Sequence, residues 1–140
     1  MSVEENKAVF RRFFEEVANK GNFQAVDELF GSDVVYHLPG SDPVHGRDGV
    51  KGVVGAFRTA FPDLHVSIEE MIGEGDKVVA RVTPSGTNTG ELMGAPATGK
   101  KASWRVVHVA RFDGGQVVED RITFDQLAFL QQLGLAPAAG

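Results

Sequence analysis

Residues 106–122 read VVHVARFDGGQVVEDRI, and the alternation within this stretch decides the fold. Reading outward from the central glycines, Val106, Ala110, Phe112, Val118 and Ile122 recur at every second position, and His108 and Asp120 share that alternation. Strand side chains point to opposite faces in turn, so the pattern describes an antiparallel hairpin with one apolar face that carries two polar residues. The other parity holds Ser103, Arg105, Arg111, Glu119, Arg121 and Thr123, a polar outer face.

A one-residue slip in pairing would turn every apolar side chain of one strand to the wrong face. A three-residue loop, Asp113-Gly114-Gly115, sets Phe112 opposite Gln116, keeps both apolar sets together and offers a glycine for the left-handed position. It places Ala110 opposite Val118, His108 opposite Asp120, Val106 opposite Ile122 and Trp104 opposite Phe124. Directly opposed residues have Cβ atoms about 4.5–5.5 Å apart, so His108 and Asp120 are expected to touch.

Working outward, strand-like segments run from Leu64 to Ile72, Lys77 to Thr89, Lys101 to Phe112 and Gln116 to Phe124, with a turn at GEGD (73–76). Before them, Phe10, Phe13, Phe14 and Val17 mark an amphipathic helix over Glu4–Lys20. A shorter helix begins near Asn22 as N-cap, carries Phe23, Val26, Leu29 and Phe30, and stops at Gly31. DVVYHL (33–38) is a strand, PGSDPVHG a loop, and Asp48–Ala60 a third helix whose Gly49, Gly52 and Gly55 suggest close packing on a sheet. DQLAFLQQLG (125–134) closes the chain as a short helix, with Asp125 as N-cap and Gly134 past its end. Helices first and a strand meander afterwards define an α+β domain over 1–140, about three N-terminal helices covering a curved antiparallel sheet that encloses an apolar pocket.

Composition narrows the partners. A net charge of −5 argues against nucleic acid and anionic membrane surfaces, and no apolar stretch approaches the ~20 residues of a membrane span. The chain has no cysteine, and MSVEENKAVF has no basic segment followed by an apolar run, so a cytoplasmic protein without disulfides or thiolate chemistry is expected. The four histidines lack metal-ligand spacing, and neither a P-loop nor a dinucleotide fingerprint is present, so neither metal nor cofactor is expected.

An imidazole and a carboxylate in an apolar wall are costly unless paired. They either satisfy each other inside a packed core or line a cavity, where one acts as base and the other as its orienter. Asp120 and His108 are the expected catalytic residues, and Trp104, Val106, Ile122 and Phe124 the residues that shape the pocket. His37 is a further candidate for the cavity, although Tyr36 has the opposite parity and only one of the two points inward. Asp125 and Asp63 read as capping and turn residues.

FPDLHVSIEEMIGEGDKVVARVTPSGTNTGELMGAPATGK (61–100) and VVEDRITFDQLAFLQQLG (117–134) resemble the SnoaL-like polyketide cyclase family, within the superfamily named for nuclear transport factor two. The resemblance implies a conical α+β barrel with a deep apolar pocket, a homodimer formed through the outer sheet face, and cofactor-free acid–base chemistry such as aldol cyclisation of a polyketide ester. It carries Arg81 and Asn88 across as ligand-binding positions, with Asn88 in place of the family's common histidine. It also exposes a departure. Cyclases of this family often read E-H-W-D on the last strand, with the final acid as base, whereas this chain reads Glu119-Asp120-Arg121-Ile122.

The leading expectation is therefore an isomerase- or cyclase-like enzyme on a small apolar carbonyl compound, in which Asp120 abstracts a proton and His108 orients it or protonates the enolate. The alternatives are a homodimer of the same fold that binds a small molecule without turnover or is purely structural, and an epoxide hydrolase.

Overall fold

The computed structural model describes residues 2–137; Met1 and residues 138–140 lie outside them. Helix α1 (Val3–Arg12) begins with a reciprocal cap, in which Ser2 accepts from the Glu5 amide and Glu5 reaches back to the Ser2 amide. The helix continues as a π-helical segment, Phe13–Ala18, so the single helix expected over Glu4–Lys20 changes register halfway. In this wider turn the Asn19 amide donates to the Phe14 carbonyl at 3.0 Å, and neighbouring side chains diverge less, so Phe13 and Phe14 are both buried. Asn19 then binds the backbone of Val66 twice, at 2.7 and 3.1 Å, fastening the helix end to the sheet edge.

The second helix, α2 (Ala25–Leu29), starts later than expected; Gln24 rather than Asn22 precedes it, and no side chain caps it. Strand β1 (Phe30–His37) follows directly, then β2 (Val44–His45) inside the expected loop, and α3 (Gly46–Ala60). Of the α3 glycines, only Gly49 is closely packed, 3.2 Å from Val44 as measured from a Cβ placed there; Gly52 and Gly55 face open space. Strands β3 (His65–Glu74) and β4 (Lys77–Thr87) form a hairpin. The strand expected over Lys101–Phe112 is interrupted at Trp104-Arg105, giving β5 (Lys101–Ser103), which pairs with β4, and β6 (Val106–Asp113). Strand β7 (Gln116–Phe124) and helix α4 (Gln126–Gln132) complete the chain. Asp125 caps α4 by accepting from the Ala128 amide at 2.9 Å, and Gly134 ends it at φ 73°.

The sheet order is β2-β1-β7-β6-β4-β3. The meander is antiparallel as expected, but β1 lies parallel to β7, so the sheet is mixed, curved and unclosed. The helices cover its concave face, where Phe10, Phe30, Val34, Val78, Ala80 and Ala110 form part of the core.

The β6–β7 hairpin corrects the expected register. Its loop is two residues, Gly114-Gly115, both with positive φ, which matches the primed turns that follow the natural twist of a hairpin. Such a loop alone would put the two apolar sets on opposite faces. A bulge between Arg111 and Phe112 shifts the pairing by one residue and restores the parity, so that Ala110 opposes Asp120, His108 opposes Ile122 and Val106 opposes Phe124. The cost falls on Val118, which was expected to point inward; Val117 is the buried residue instead.

At the other end of β4, Asp63 ties the turn after α3 to the sheet by accepting from the Thr87 amide at 2.7 Å. That bond holds its carboxyl below the ordinary value of 3.8. A depressed folded-state pKa contributes stability in full above the ordinary value, and the contribution disappears as pH falls through the folded-state value. Asp63→Asn should therefore be less stable than wild type at about pH 7 and indistinguishable from it near pH 2, as measured by urea unfolding at both pH values.

Candidate active site

His108 and Asp120 project from the concave face of β6 and β7, one diagonal step apart rather than directly opposed. The diagonal is short enough for a hydrogen bond, and His108 Nδ1 lies 2.8 Å from Asp120 Oδ2. A carboxylate can only accept, so Nδ1 donates and the other ring nitrogen, Nε2, is left without a proton on neutral imidazole. The cross-strand partners of the pair are small: Ala80 beside His108 and Ala110 opposite Asp120. They leave room that larger side chains would fill.

The two polar residues have unequal access. Asp120 is 0% exposed and its Oδ1 has no hydrogen-bond partner, whereas His108 forms part of the wall of a cavity of about 90 Å³. Asp120 is not in that wall. The phenyl rings of Phe10 and Phe14 stand edge-on to the imidazole, with ring centres 5.7 and 5.0 Å away, and among the described residues the carboxylate is its one side-chain hydrogen-bond partner. The π-helical segment thus delivers a ring to the imidazole, in keeping with the frequent placement of such turns at working sites.

Trp104, Val106, Ile122 and Phe124 all line the cavity, together with Phe13, Tyr36, Phe57 and others. Phe129 of α4 packs against Trp104, with ring centres 4.5 Å apart and planes tilted by 56°. Tyr36, not His37, takes the inward position on β1: it is buried, lies opposite Asp120 in the parallel pairing, and faces the cavity. Burial and the nearby Asp120 carboxylate push its phenol well above the usual range, so it stays a neutral donor. Alternation on β1 carried this signal, since Val34, Tyr36 and Leu38 are apolar or aromatic while Asp33 and His37 fall on the other parity.

Three residues expected near the ligand lie elsewhere. His37 is on the outer face, 3.0 Å from Glu119, and this bond, helped by Arg121 and Arg111, holds the Glu119 carboxyl below its usual range. Arg81 is also on the outer face, 3.4 Å from Glu70, because its parity on β4 is opposite to that of Ala80 and Val82. Asn88 is fully buried but serves the loop after β4. Its amide donates to the carbonyls of Ala60 and Gly90 and its oxygen accepts from the amide and hydroxyl of Thr98, at 2.9 to 3.1 Å. Gly90 is needed there, since a Cβ would fall 1.9 Å from the Thr59 carbonyl oxygen.

Among the described residues, no group of three or more His, Cys, Asp or Glu is arranged to hold a metal ion, and no helix is long and apolar enough to cross a membrane.

Comparison with known proteins agrees with this architecture. Residues 8–133 match the family described as SnoaL-like polyketide cyclase. The aklanonic acid methyl ester cyclase DnrD of Streptomyces peucetius is 29% identical over 124 residues, covering 85% of this chain and 84% of that protein. A candidate SnoaL-like polyketide cyclase from Jannaschia sp. CCS1 superposes with a TM-score of 0.88 at 26% identity, covering 96% of this chain and 94% of that one. AclR of Streptomyces galilaeus, a candidate hydroxylase, gives 0.85 at 29% identity, covering 99% and 87%. A single fold therefore accompanies more than one described chemistry, and the side chains must carry the distinction.

The pairing predicts the imidazole tautomer. In two-bond 1H–15N spectra, neutral His108 should carry its proton on Nδ1, and Asp120→Ala should lose that preference. The same substitution should destabilise the fold by about 1–3 kcal/mol, because it leaves a buried imidazole N–H without its partner.

Proposed function

Because the chain belongs to the SnoaL-like polyketide cyclase family, we propose that it cyclises a small, largely apolar carbonyl compound by acid–base chemistry, with His108 as the group that exchanges protons with the ligand and Asp120 as its positioning residue. The observation that carries this reading is the unequal access of the pair: Nε2 belongs to a cavity-wall residue, and the carboxylate sits behind it. These are the reverse of the roles expected from the sequence.

The chemistry follows from that geometry. The Nε2 lone pair takes a proton from a carbon activated by adjacent carbonyls, and the C–H bonding pair becomes the enolate. The positive charge gained by the ring forms beside Asp120, which needs no movement to meet it. The enolate carbon attacks a second carbonyl within the same molecule, forming one C–C bond and pushing the carbonyl π pair onto oxygen. Nε2–H returns the proton to that oxygen, which leaves a hydroxyl and restores the dyad. No oxidant or reductant is consumed. The apolar walls exclude water and hold the chain of the ligand in a folded shape, which is where most of the gain from proximity arises. The cavity wall holds no lysine or arginine, so the reading favours a neutral ester over a free acid.

Turnover of β-dicarbonyl polyketide esters tests the proposal. His108→Ala should lower kcat roughly 10²–10⁴-fold while ligand binding persists, and Asp120→Asn should lower it by disturbing the tautomer. If wild type binds such esters without cyclising them, the chain is a binding protein and the acid–base reading fails.

The outer sheet face supports a homodimer. Ile72, Val79 and Val109 lie side by side across β3, β4 and β6, with Ile72 56% and Val109 36% exposed, and Arg121 and His37 continue the row. An apolar stripe ending in mixed charge is suited to an isologous contact. Sedimentation velocity should show a dimer for wild type and a folded monomer for Val109→Glu; an unchanged sedimentation coefficient would exclude this face.

A further inference from the structure

We propose that Tyr36 is the hydrogen-bond donor that holds the ligand oxygen on which negative charge develops. The inference rests on His108 as the proton-exchanging group and adds the second half of the site.

A developing oxyanion in an apolar cavity needs a donor, and the wall offers no cation. Three wall residues carry polar side-chain atoms: Tyr36, Trp104 and His108. His108 is occupied with the proton itself. Trp104 precedes His108 by four residues, roughly 13 Å along an extended chain, and its ring packs among Phe57, Phe61 and Phe129 at the far end. Tyr36 is different. In the β1–β7 pairing it stands directly opposite Asp120, on the same concave face and in the same cavity wall as His108.

Its environment suits the role. The phenol is almost completely buried, and both burial and the adjacent carboxylate oppose loss of its proton. A donor that stays neutral can stabilise an enolate without protonating it, leaving proton exchange to the imidazole. The aromatic walls formed by Phe13, Phe14, Phe57 and Trp104 complement a flat ring system.

The test needs no turnover, which keeps it separate from the cyclase reading. Dissociation constants for 2-naphthol and its near-isostere 2-methylnaphthalene would be measured by fluorescence titration for wild type, Tyr36→Phe and His108→Ala. Wild type should prefer the naphthol, and Tyr36→Phe should lose roughly ten-fold or more of that preference while binding the hydrocarbon as before. His108→Ala should retain most of the preference. A purely structural Tyr36 would shift both ligands together and leave the ratio unchanged, which would overturn the proposal. So would a wild type with no preference for the naphthol, or a preference lost only in His108→Ala. Absence of cyclisation by wild type, with the naphthol ratio behaving as expected, would instead reject the reaction and keep the donor.

Discussion

The hydrogen bond between His108 and Asp120 is the constraint around which the rest of the domain is arranged. A carboxylate wholly removed from water is tolerable only where a partner meets it, and here one partner meets one of its two oxygens. Everything nearby follows from that requirement. The flanking positions are alanines, the aromatic rings of the first helix close over the imidazole edge-on, and the register of two strands is set so that both residues reach the same face. An apolar pair at these positions would have packed more easily.

Much of this was legible in the sequence, because alternation is a strict rule. The inner face of the last hairpin, the shared side of His108 and Asp120, the cap at Asp125 and the order of helices and strands all follow from periodicity and turn chemistry. What periodicity cannot distinguish is two ways of reaching the same parity. A three-residue loop and a two-residue loop with a bulge leave the same face inward beyond the bulge, and they differ in which residues stand opposite each other and in whether Val117 or Val118 points inward. The parallel contact between β1 and β7 was invisible for another reason: it joins segments some eighty residues apart, and nothing local in either strand specifies the neighbour. Arg81 and Asn88 came from resemblance to a motif. Parity on β4 turns the first outward, and the second spends its hydrogen-bonding capacity on the end of α3 and the loop after β4.

The last strand departs from the family pattern that the sequence resembles. The position that often holds an acid in related cyclases is Ile122, and it stands directly opposite His108. The acid of this chain lies two residues earlier, still on the concave face, and reaches the same imidazole along the diagonal from behind. The acid and the histidine stay in contact, and of the two it is the histidine that lines the cavity. This departure illustrates why a fold shared with a cyclase and with a candidate hydroxylase leaves the reaction to be argued from individual side chains.

The bulge beside Phe112 gives the gene an unusual point of tolerance. Deleting one residue from a regular strand reverses the facing of everything beyond it. In β7 Val118 is the extra residue of the bulge; without it Val117 would still oppose Phe112, Glu119 would oppose Arg111 and Asp120 would oppose Ala110, so every residue beyond would keep its face. Loss of codon 118 would leave a regular hairpin with the same inner face, whereas loss of codon 121 would turn Ile122 and Phe124 to the surface.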